Sequence, residues 1–388
     1  MIKKIAVFTG TRAEYGLLYW VLKDIAADEV LELQLIVSGT HLSPHFGNTI
    51  SQIQKDGFEI AAEVDMLLSS DTATGTVKSM GLATIGYADA LARLKPDAMV
   101  LLGDRFEALA MAQTAMIMKI PLLHIHGGEI TEGAYDDAIR HAITKLSHYH
   151  FTSNSEHRNR VIQLGESPER VFDVGAIGLD HIHRSQFFTV PELAKSIDFP
   201  LHQPYFLVTY HPVTLADESP LEAIDNLIFA LSQFQDHQVI ITYPNADDGG
   251  HGIIKKLRLF AAENRQKVFL TASLGQQRYL SAVKHAAAVI GNSSSGIIEV
   301  PSFGVPTVNI GSRQTGRAAA ASVINCSESK QEISAALQKA LSKEFSKTLD
   351  TVKNPYGQGN VSASIVNFLK NHELNVYKQF FDIKWENT

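Results

Sequence analysis

The segment from Gly291 to Glu299 could bind a phosphate. Its sequence is Gly-Asn-Ser-Ser-Ser-Gly-Ile-Ile-Glu, and it begins with small and polar residues. It follows an apolar stretch at 286–290 that predicts a buried strand. Ser293, Ser294 and Ser295 can then cap a helix whose first backbone N–H groups point outward at an anion. Glu299 would lie just inside that helix, where a carboxylate repels phosphate and is better suited to accept hydrogen bonds from sugar hydroxyls, such as those of a ribose. An ordinary helix cap in an α/β protein is the alternative interpretation.

Polar and ionisable side chains also follow several other short apolar runs. These segments are Gly10-Thr11-Arg12-Ala13-Glu14-Tyr15, Gly103-Asp104-Arg105, His126-Gly127-Gly128-Glu129, Tyr210-His211-Pro212, Tyr243-Pro244-Asn245 and Gly311-Ser312-Arg313. In open parallel sheets, ligands bind beyond the carboxyl ends of the strands. Because both halves of the chain contribute such segments, we expect one site in a cleft between two domains.

The elements that must position these residues are predicted from the alternation of short, β-branched apolar runs with longer helical patterns, which is typical of βαβ units with parallel sheets. Ten strands are predicted, at 5–8, 33–37, 98–102, 121–125, 148–152, 205–209, 239–242, 268–270, 286–290 and 307–310. The stretch 188–204 contains three prolines, lacks a sustained period and predicts a hinge. We therefore expect an α/β protein with two Rossmann-like, doubly wound domains, 1–187 and 188–368. A closing helix at 369–388, with aromatic anchors in 373–385, is expected to pack back on the first domain.

Composition limits the class of protein. A chain of 388 residues, 45% hydrophobic and 19% charged, can bury more than one core. The net charge of −7 disfavours general nucleic-acid binding, which depends on clustered Lys and Arg. No apolar run is long enough to span a bilayer, the start of the chain lacks a secretory signal, and the one cysteine, Cys326, agrees with a reducing compartment. These features predict a soluble, cytoplasmic protein that binds neither nucleic acid nor membrane.

The glycine and histidine patterns disfavour several cofactor classes. Gly10-Thr11-Arg12 after the first predicted strand is not the G-x-G-x-x-G of a dinucleotide site, and the chain has no P-loop sequence. His124 and His126 alternate along a predicted strand and would bind a metal only if further ligands converged. The sequence supplies none, so we expect hydrogen-bonding or acid/base roles for these histidines, with no metal and no cofactor.

Taken together, the motifs closely resemble those of the hydrolysing UDP-N-acetylglucosamine 2-epimerases over nearly the whole chain. The matching segments are GTRAEY at 10–15, GDRFE at 103–107, HIHGGE at 124–129, DDAIRH at 136–141, HPVT at 211–214, GNSSS at 291–295 and GSRQ at 311–314. The resemblance implies the two-domain GT-B fold, a UDP-sugar substrate, a role in sialic-acid-type sugar synthesis and a homodimer or homotetramer. Enzymes that act on UDP-2,4-diacetamido-2,4,6-trideoxyglucose in legionaminic acid pathways look similar at the same motifs, so the exact sugar stays open.

The reaction that this resemblance implies needs acid/base groups on both faces of the sugar ring. UDP at C1 and the hydrogen at C2 leave from opposite faces to form a glycal. Water then adds at C1, and C2 is reprotonated from the other face, which releases N-acetylmannosamine and UDP. Asp104, His126, Glu129 and Asp136 lie where such groups can converge, and by resemblance Asp104 and Asp136 match acidic residues of this chemistry. Some family members have Glu at the position of His126, so three roles stay open: acid/base chemistry by imidazole, its replacement by Glu129, or orientation of the sugar.

The departing diphosphate needs fixed donors, because negative charge grows on it as the C1–O bond breaks. Arg12, Arg105 and Arg313 are the expected partners, since arginine suits bidentate phosphate contacts. His211 is expected to hydrogen-bond a phosphate or the sugar. Asn245 is expected to contact the substrate as well. The alternative is that its side chain only donates hydrogen bonds to carbonyls of its own loop.

Three function classes are consistent with the residues. The first is a cofactor-independent epimerase that also hydrolyses its substrate. The second is a GT-B glycosyltransferase, because fold does not decide function; it would need an acceptor, and the acidic pair Asp104 and Asp136 favours elimination instead. The third is a non-catalytic nucleotide-sugar sensor, which the density of ionisable residues near the predicted site disfavours.

Overall fold

The computed structural model describes residues 2–44, 47–70, 72–131, 135–212, 220–244 and 250–384. The chain folds into two compact units. One consists of Met1–Asp180 together with Gly359–Thr388, and the other of His181–Gln358. Within the described ranges, no helix is both long and apolar enough to cross a membrane.

The first unit is built on a parallel sheet of seven strands. The strands are β1 Lys3–Thr9, β2 Leu31–Ser38, β3 Ile60–Val64, β4 Ala98–Leu102, β5 Leu122–Ile125, β6 Tyr149–Thr152 and β7 Val171–Asp173, in the order β3-β2-β1-β4-β5-β6-β7. The helices are α1 Arg12–Ala26, α2 Ile50–Lys55, α3 Ala73–Leu94, α4 Phe106–Ile117, α5 Tyr135–Leu146, α6 Ser155–Gln163 and, at the boundary between the units, α7 Asp180–Arg184. Alternate residues of β1 enter different apolar clusters, Ile5 and Val7 on one face and Ala6 and Phe8 on the other, as expected for a sheet covered by helices on both faces.

The second unit repeats this plan with six parallel strands. They are β8 Tyr205–Thr209, β9 Gln238–Thr242, β10 Val268–Thr271, β11 Ala288–Gly291, β12 Thr307–Ile310 and β13 Val323–Cys326, in the order β10-β9-β8-β11-β12-β13. Its helices are α8 Val190–Ser196, α9 Pro220–Ser232, α10 Gly250–Glu263, α11 Gly275–His285, α12 Ser295–Ile298, α13 Lys330–Ala340 and α14 Lys343–Leu349. Two apolar clusters cover the two faces of this sheet, with Phe206 and Val208 in one and Tyr205 and Leu207 in the other. The predicted α/β class, with two parallel-sheet units, is confirmed.

The end of the chain differs from the predicted closing helix. The last helix, α15 Val361–Asn371, reaches only the first three residues of the predicted segment, and 373–384 has no regular secondary structure. The first two backbone N–H groups of α15 donate to the buried carboxylate of Asp180. The tail beyond it is held by side chains, because Lys378 Nζ lies 2.9 Å from both carboxylate oxygens of the buried Glu166. Lys378 Nζ also donates to two backbone carbonyls. These charge-assisted contacts hold the tail in place of the helical hydrogen bonds that were predicted.

Candidate active site

In the first unit, the predicted acid/base residues lie at one edge of the sheet. Strands β1, β4 and β5 are neighbours and parallel, so their carboxyl ends meet there. Asp104 follows β4, His126 follows β5 directly, and Asp136 lies in the first turn of α5. The carboxylates of Asp136 and Glu129 are close enough to Asp104 to interact with it electrostatically.

Asp104 is paired with a cation from a different element. Nη2 of Arg140, on α5, donates to Oδ2 of Asp104. Nη1 of Arg140 also donates to Thr131 Oγ1 at 3.1 Å, so the guanidinium is held from two sides. Burial raises the pKa of Asp104, and the Arg140 charge opposes that shift without cancelling it. The carboxylates of Asp136 and Glu129 raise the pKa of Asp104 further, which makes this carboxyl better suited to exchanging a proton than a solvated aspartate.

His126 has both ring nitrogens engaged. Its Nε2 accepts the backbone N–H of Ile177 at 3.2 Å, so the ring proton of the neutral imidazole belongs on Nδ1. Nδ1 lies 3.2 Å from Oε1 of Glu129, which also accepts the Ser153 hydroxyl at 3.0 Å. The residue has a φ of +64°, a conformation that costs a non-glycine residue about 1–2 kcal/mol. The backbone therefore holds the imidazole where it donates to Glu129.

The two arginines predicted to bind phosphate in this unit differ in how they are held. Arg105 precedes α4, and its Nε donates to Oε2 of Glu107 at 3.4 Å while 44% of its side chain stays exposed. Arg12 is the first residue of α1 and is exposed. The start of α1 is nevertheless fixed, because the Thr11 hydroxyl accepts the N–H of Glu14 and the Glu14 carboxylate accepts the N–H of Thr11.

In the second unit, Asn292 connects the predicted phosphate loop to two other loops. Its buried side chain accepts the N–H of His211 at 2.7 Å and donates to the His211 carbonyl at 2.9 Å. The backbone carbonyl of Asn292 accepts Arg313 Nη1 at 3.1 Å and Gln314 Nε2 at 2.8 Å. One residue therefore holds both His211 and Arg313 next to residues 291–295.

The predicted helix cap at 293–295 is corrected by the structure. The helix there, α12, has four residues and continues into a 3₁₀ turn at Val300–Phe303. Its N-cap, Ser294, has a helical backbone and makes no capping hydrogen bond with its side chain. Pro301 lacks an N–H group and cannot continue an α-helix, so the dipole of a long helix is absent at this point. Ser293 and Ser294 remain half-buried in the loop, where their hydroxyl and amide groups are the possible anion ligands.

Three polar side chains form a cluster around α12. Oε2 of Glu299, Oγ of Ser295 and the hydroxyl of Tyr279 are buried, and Ser295 interacts with both of the other side chains. Burial raises the pKa of Glu299 and of Tyr279, and the negative charge of Glu299 also raises that of Tyr279. A carboxylate and two hydroxyls clustered in this way offer hydrogen-bond acceptors and donors to a polar ligand.

Other predicted positions have different outcomes. Asn245 lies outside the described residues. His124 is buried, with Nε2 2.8 Å from the Gly103 carbonyl and Nδ1 3.1 Å from Thr144 Oγ1, and burial lowers its pKa to about 3. In the part of the chain that the structure describes, no group of three His, Cys, Asp or Glu side chains is placed to hold a metal ion.

Several residues of these networks were not singled out by sequence reasoning. Arg140 had a usable signal, because it lies four residues after Asp136 and shares its face of α5. Asn292 lay inside the predicted loop, but the sequence does not indicate that its amide would pair with the backbone of His211. Ser153 and Tyr279 have no local signal for these contacts, because Glu129 and Glu299, with which they interact, lie on other parts of the chain.

Comparisons with known proteins identify the family and the fold of the chain. The family model described as UDP-N-acetylglucosamine 2-epimerase matches residues 23–370. A Campylobacter jejuni protein named GDP/UDP-N,N'-diacetylbacillosamine 2-epimerase (hydrolyzing) is 41% identical, over 88% of this chain and 88% of its own length. An Escherichia coli protein named polysialic acid biosynthesis protein P7 is 37% identical, over 98% of each chain. The crystal structure of UDP-GlcNAc 2-epimerase from Neisseria meningitidis bound to UDP-GlcNAc has the same fold, with a TM-score of 0.77 and 17% identity over 96% of this chain and 100% of that one.

The two parallel-sheet units thus match a GT-B-like epimerase structure over nearly the whole chain. The family match covers most of both units, and the relative that is 41% identical is named as a hydrolysing enzyme. This chain belongs to the UDP-N-acetylglucosamine 2-epimerase family and is a hydrolysing 2-epimerase of nucleotide sugars.

Proposed function

We propose that the enzyme converts a UDP-linked 2-acetamido sugar into UDP and the free 2-epimer by elimination and rehydration. A base takes the C2 proton while the C1–O bond to UDP breaks, which leaves a C1–C2 double bond. Water then adds its hydroxyl to C1 and releases a proton. C2 receives a proton on the face opposite to the one that lost it, which inverts this carbon. The observation that carries this proposal is the set of carboxylates Asp104, Glu129 and Asp136, which interact electrostatically beside Arg140.

In this proposal Asp104 and Asp136 carry the proton transfers. The chemistry needs two such groups on opposite ring faces, and these two come from different elements, the loop after β4 and the start of α5. The raised pKa of Asp104, due first to burial, supports an exchanging role. Glu129 contributes charge that keeps this pKa raised, and His126 positions Glu129 through its Nδ1–H.

The second unit is proposed to hold the nucleotide. Ser293 and Ser294 supply hydroxyl and amide donors for the diphosphate, and Arg313, held at the Asn292 carbonyl, supplies positive charge. His211 is proposed to donate to the phosphate or the sugar. Arg12 and Arg105 of the first unit remain the other proposed phosphate ligands.

Glu299 is proposed to bind the ribose hydroxyls. Its carboxylate lies in a buried polar cluster with the hydroxyls of Ser295 and Tyr279. Burial raises the pKa of Glu299, and the hydroxyl of Ser295 interacts with this carboxyl. A carboxyl beside two hydroxyls is suited to bind the two hydroxyls of a ribose.

Two sugars are candidates for the substrate. The relative that is 41% identical is named for N,N'-diacetylbacillosamine, a 2,4-diacetamido-2,4,6-trideoxyglucose, and this favours the UDP-linked form of that sugar. The relative that is 37% identical is named for polysialic acid biosynthesis, which fits the N-acetylmannosamine branch and supports UDP-N-acetylglucosamine as the second candidate. Both sugars carry the C2 acetamido group and the anomeric UDP that the proposed chemistry requires.

Proton NMR of the enzyme in deuterated water, with each UDP-sugar in turn, tests the reaction and the substrate together. We expect UDP release and a free 2-epimer with deuterium at C2, because C2 takes its new proton from groups that exchange with solvent. The preferred sugar is the one with the higher kcat/KM. Release of the unepimerised sugar would show simple hydrolysis and overturn the elimination. Absence of release without an added acceptor would favour a glycosyltransferase.

His126→Asn separates a positioning role for this residue from acid/base chemistry. Asparagine is chosen because it tolerates the positive φ of this position better than most other residues. If His126 positions Glu129, we expect kcat to fall by no more than about tenfold, since removal of a general acid or base costs about 100- to 10,000-fold. The measurement is steady-state UDP release across pH, with thermal unfolding as the check on folding. A loss beyond 100-fold with normal folding would make the imidazole itself the acid/base group.

A further inference from the structure

Two buried carboxyl groups lie beneath the turn that follows β1, and the proposed chemistry does not use them. Glu14 on α1 is 8% exposed and Glu107 on α4 is fully buried. Both lie close to Gly10, because a Cβ placed on this glycine would be 3.3 Å from Glu107 Cβ and 3.5 Å from Glu14 Oε2. The two side chains are therefore neighbours, although they come from different helices.

One oxygen of each carboxyl is well used and the other is not. Glu14 Oε2 accepts the N–H groups of Gly10 and Thr11, at 2.8 and 3.1 Å. Glu107 Oε2 faces Arg105 Nε at 3.4 Å. Among the described residues, Oε1 of Glu14 and Oε1 of Glu107 are both buried without a hydrogen-bond partner.

Two ionised carboxylates in this position would leave two buried acceptors unpaired and two like charges side by side, and both are costly. One proton retained at Glu14 Oε1 removes one of the two charges and turns one of the two unpaired acceptors into a donor. Glu14 Oε2 then keeps its two backbone donors, and Glu107 Oε2 keeps Arg105.

We propose that Glu14 and Glu107 share one proton and act as a singly charged pair that positions Arg105 for an anionic ligand. Glu107 is the ionised member and Glu14 the protonated one, and both are positioning residues. The inference rests on the proposed function in one respect, that Arg105 contacts the diphosphate of the substrate.

The surroundings of the pair agree with one retained proton. Burial, followed by the charge of Glu107, raises the pKa of Glu14 to about 7, and burial also raises the pKa of Glu107. The charged groups that interact with the pair are Arg105, which lowers both pKa values, and Asp136, which raises that of Glu107.

Two further titratable groups lie on elements packed around the pair. The hydroxyl of Tyr87 interacts with it and stays neutral, because burial raises the pKa of this tyrosine. His41 comes from the turn Gly39–Leu42, which also packs against Gly10, and burial lowers its pKa to about 4, so it carries no charge near neutral pH.

The shared proton leaves Arg105 opposite one negative charge. If the pair loses the proton as pH rises through about 7, a second negative charge appears next to the guanidinium. Attraction of Arg105 for a diphosphate then weakens, so the substrate KM is expected to rise.

Two matched variants have the same total charge but differ in which carboxylate remains. Glu14→Gln keeps Glu107 ionised opposite Arg105, and its amide can donate to Glu107 Oε1 as the shared proton does. Glu107→Gln leaves Glu14 as the ionisable group and removes the negative charge opposite Arg105. A positioning role predicts different results from these two substitutions, whereas simple removal of buried charge predicts the same result.

Steady-state kinetics across pH 6 to 9 is the functional test. For the wild type, we expect KM to rise roughly fivefold as the pair loses its proton, with a smaller change in kcat. This rise should be absent in Glu14→Gln. Glu107→Gln should show a KM raised roughly tenfold already at pH 6, about 1.4 kcal/mol of binding. An unchanged pH profile in Glu14→Gln, or equal defects in the two variants, would overturn the proposal.

Thermal unfolding across the same variants gives a test that needs no substrate. A carboxyl whose pKa is raised in the folded state keeps its proton after the unfolded chain has lost its own, so the contribution of Glu14 to wild-type stability falls between about pH 4.5 and 7. Glu14→Gln removes this dependence, and its Tm relative to wild type is expected to rise through that window and level off above it. A flat difference in Tm would show that no proton is retained. If the Tm curve is as expected but KM does not depend on pH, the pair does share a proton. In that case Arg105 does not contact the diphosphate, and the fault lies in the proposed function.

Discussion

Asp104→Asn is expected to lower kcat by about 100- to 10,000-fold while the affinity for UDP changes little. The amide matches the carboxylate in size but cannot accept and return a proton. Arg140 keeps its contact with Thr131, so the loop should stay in place. Asp136→Asn is expected to have an effect of the same order, because the proposed reaction needs both groups. The measurements are UDP release at saturating nucleotide sugar and calorimetric titration with UDP.

Asp97→Asn is the matched control for this pair of variants. Asp97 precedes β4, at the end of the strand opposite to Asp104, and its carboxylate accepts the backbone N–H of Lys4 at 2.8 Å. Its replacement should leave turnover close to that of the wild type. Near-normal kcat for both Asp104→Asn and Asp136→Asn would remove these residues from the proton transfers.

Gly291→Ala is expected to lower the free energy of unfolding of the second unit by about 3 kcal/mol or more. Gly291 has a φ of +130°, and a Cβ at this position would lie 1.9 Å from the carbonyl oxygen of Thr209. The two residues are paired between β11 and β8, so the strands would have to separate. Asn292 also donates its N–H to the Thr209 carbonyl, so we expect the loop proposed to bind phosphate to move and UDP affinity to fall.

Gly304→Ala is the control for backbone strain alone. Gly304 has a φ of +65°, and a Cβ there meets no described atom within 4 Å. We expect its replacement to cost about 1–2 kcal/mol, the price of the left-handed conformation for a residue with a Cβ. Chemical denaturation and calorimetry with UDP compare the two variants. Equal losses of stability would mean that the close approach to Thr209 has no effect of its own.

The ten strands predicted from apolar runs are all present, and the three that were missed lie at sheet edges. β3, β7 and β13 are edge strands, with polar residues such as Glu63, Asp173 and Asn325 within them. Central strands of a parallel sheet are buried on both faces and therefore read as continuous apolar runs. An edge strand is partly exposed and lacks a continuous apolar run. The sequence pattern therefore predicted the central strands of each sheet but not every edge strand.

Only the helical part of the tail prediction was wrong, because the contacts that hold the tail are distant in sequence. The segment 373–384 carries aromatic residues that suggest an amphipathic helix, but the structure holds it through Lys378 and Glu166. The backbone N–H of Phe381 also donates to the carbonyl of Gly165, at 2.9 Å. These contacts join residues more than 200 positions apart in sequence, and no local pattern indicates them.

By itself, the sequence determined the α/β class, the central strands of both units and the positions where polar residues follow them. These follow from local composition and from the rule that parallel strands end at one edge of a sheet. Only the tertiary structure decided which groups come together and which pKa values shift: Asp104 pairs with Arg140, His126 with Glu129, and Glu14 lies beside Glu107. The physical reason is that a pKa depends on burial and on charges close in space, and folding brings those charges from distant parts of the chain.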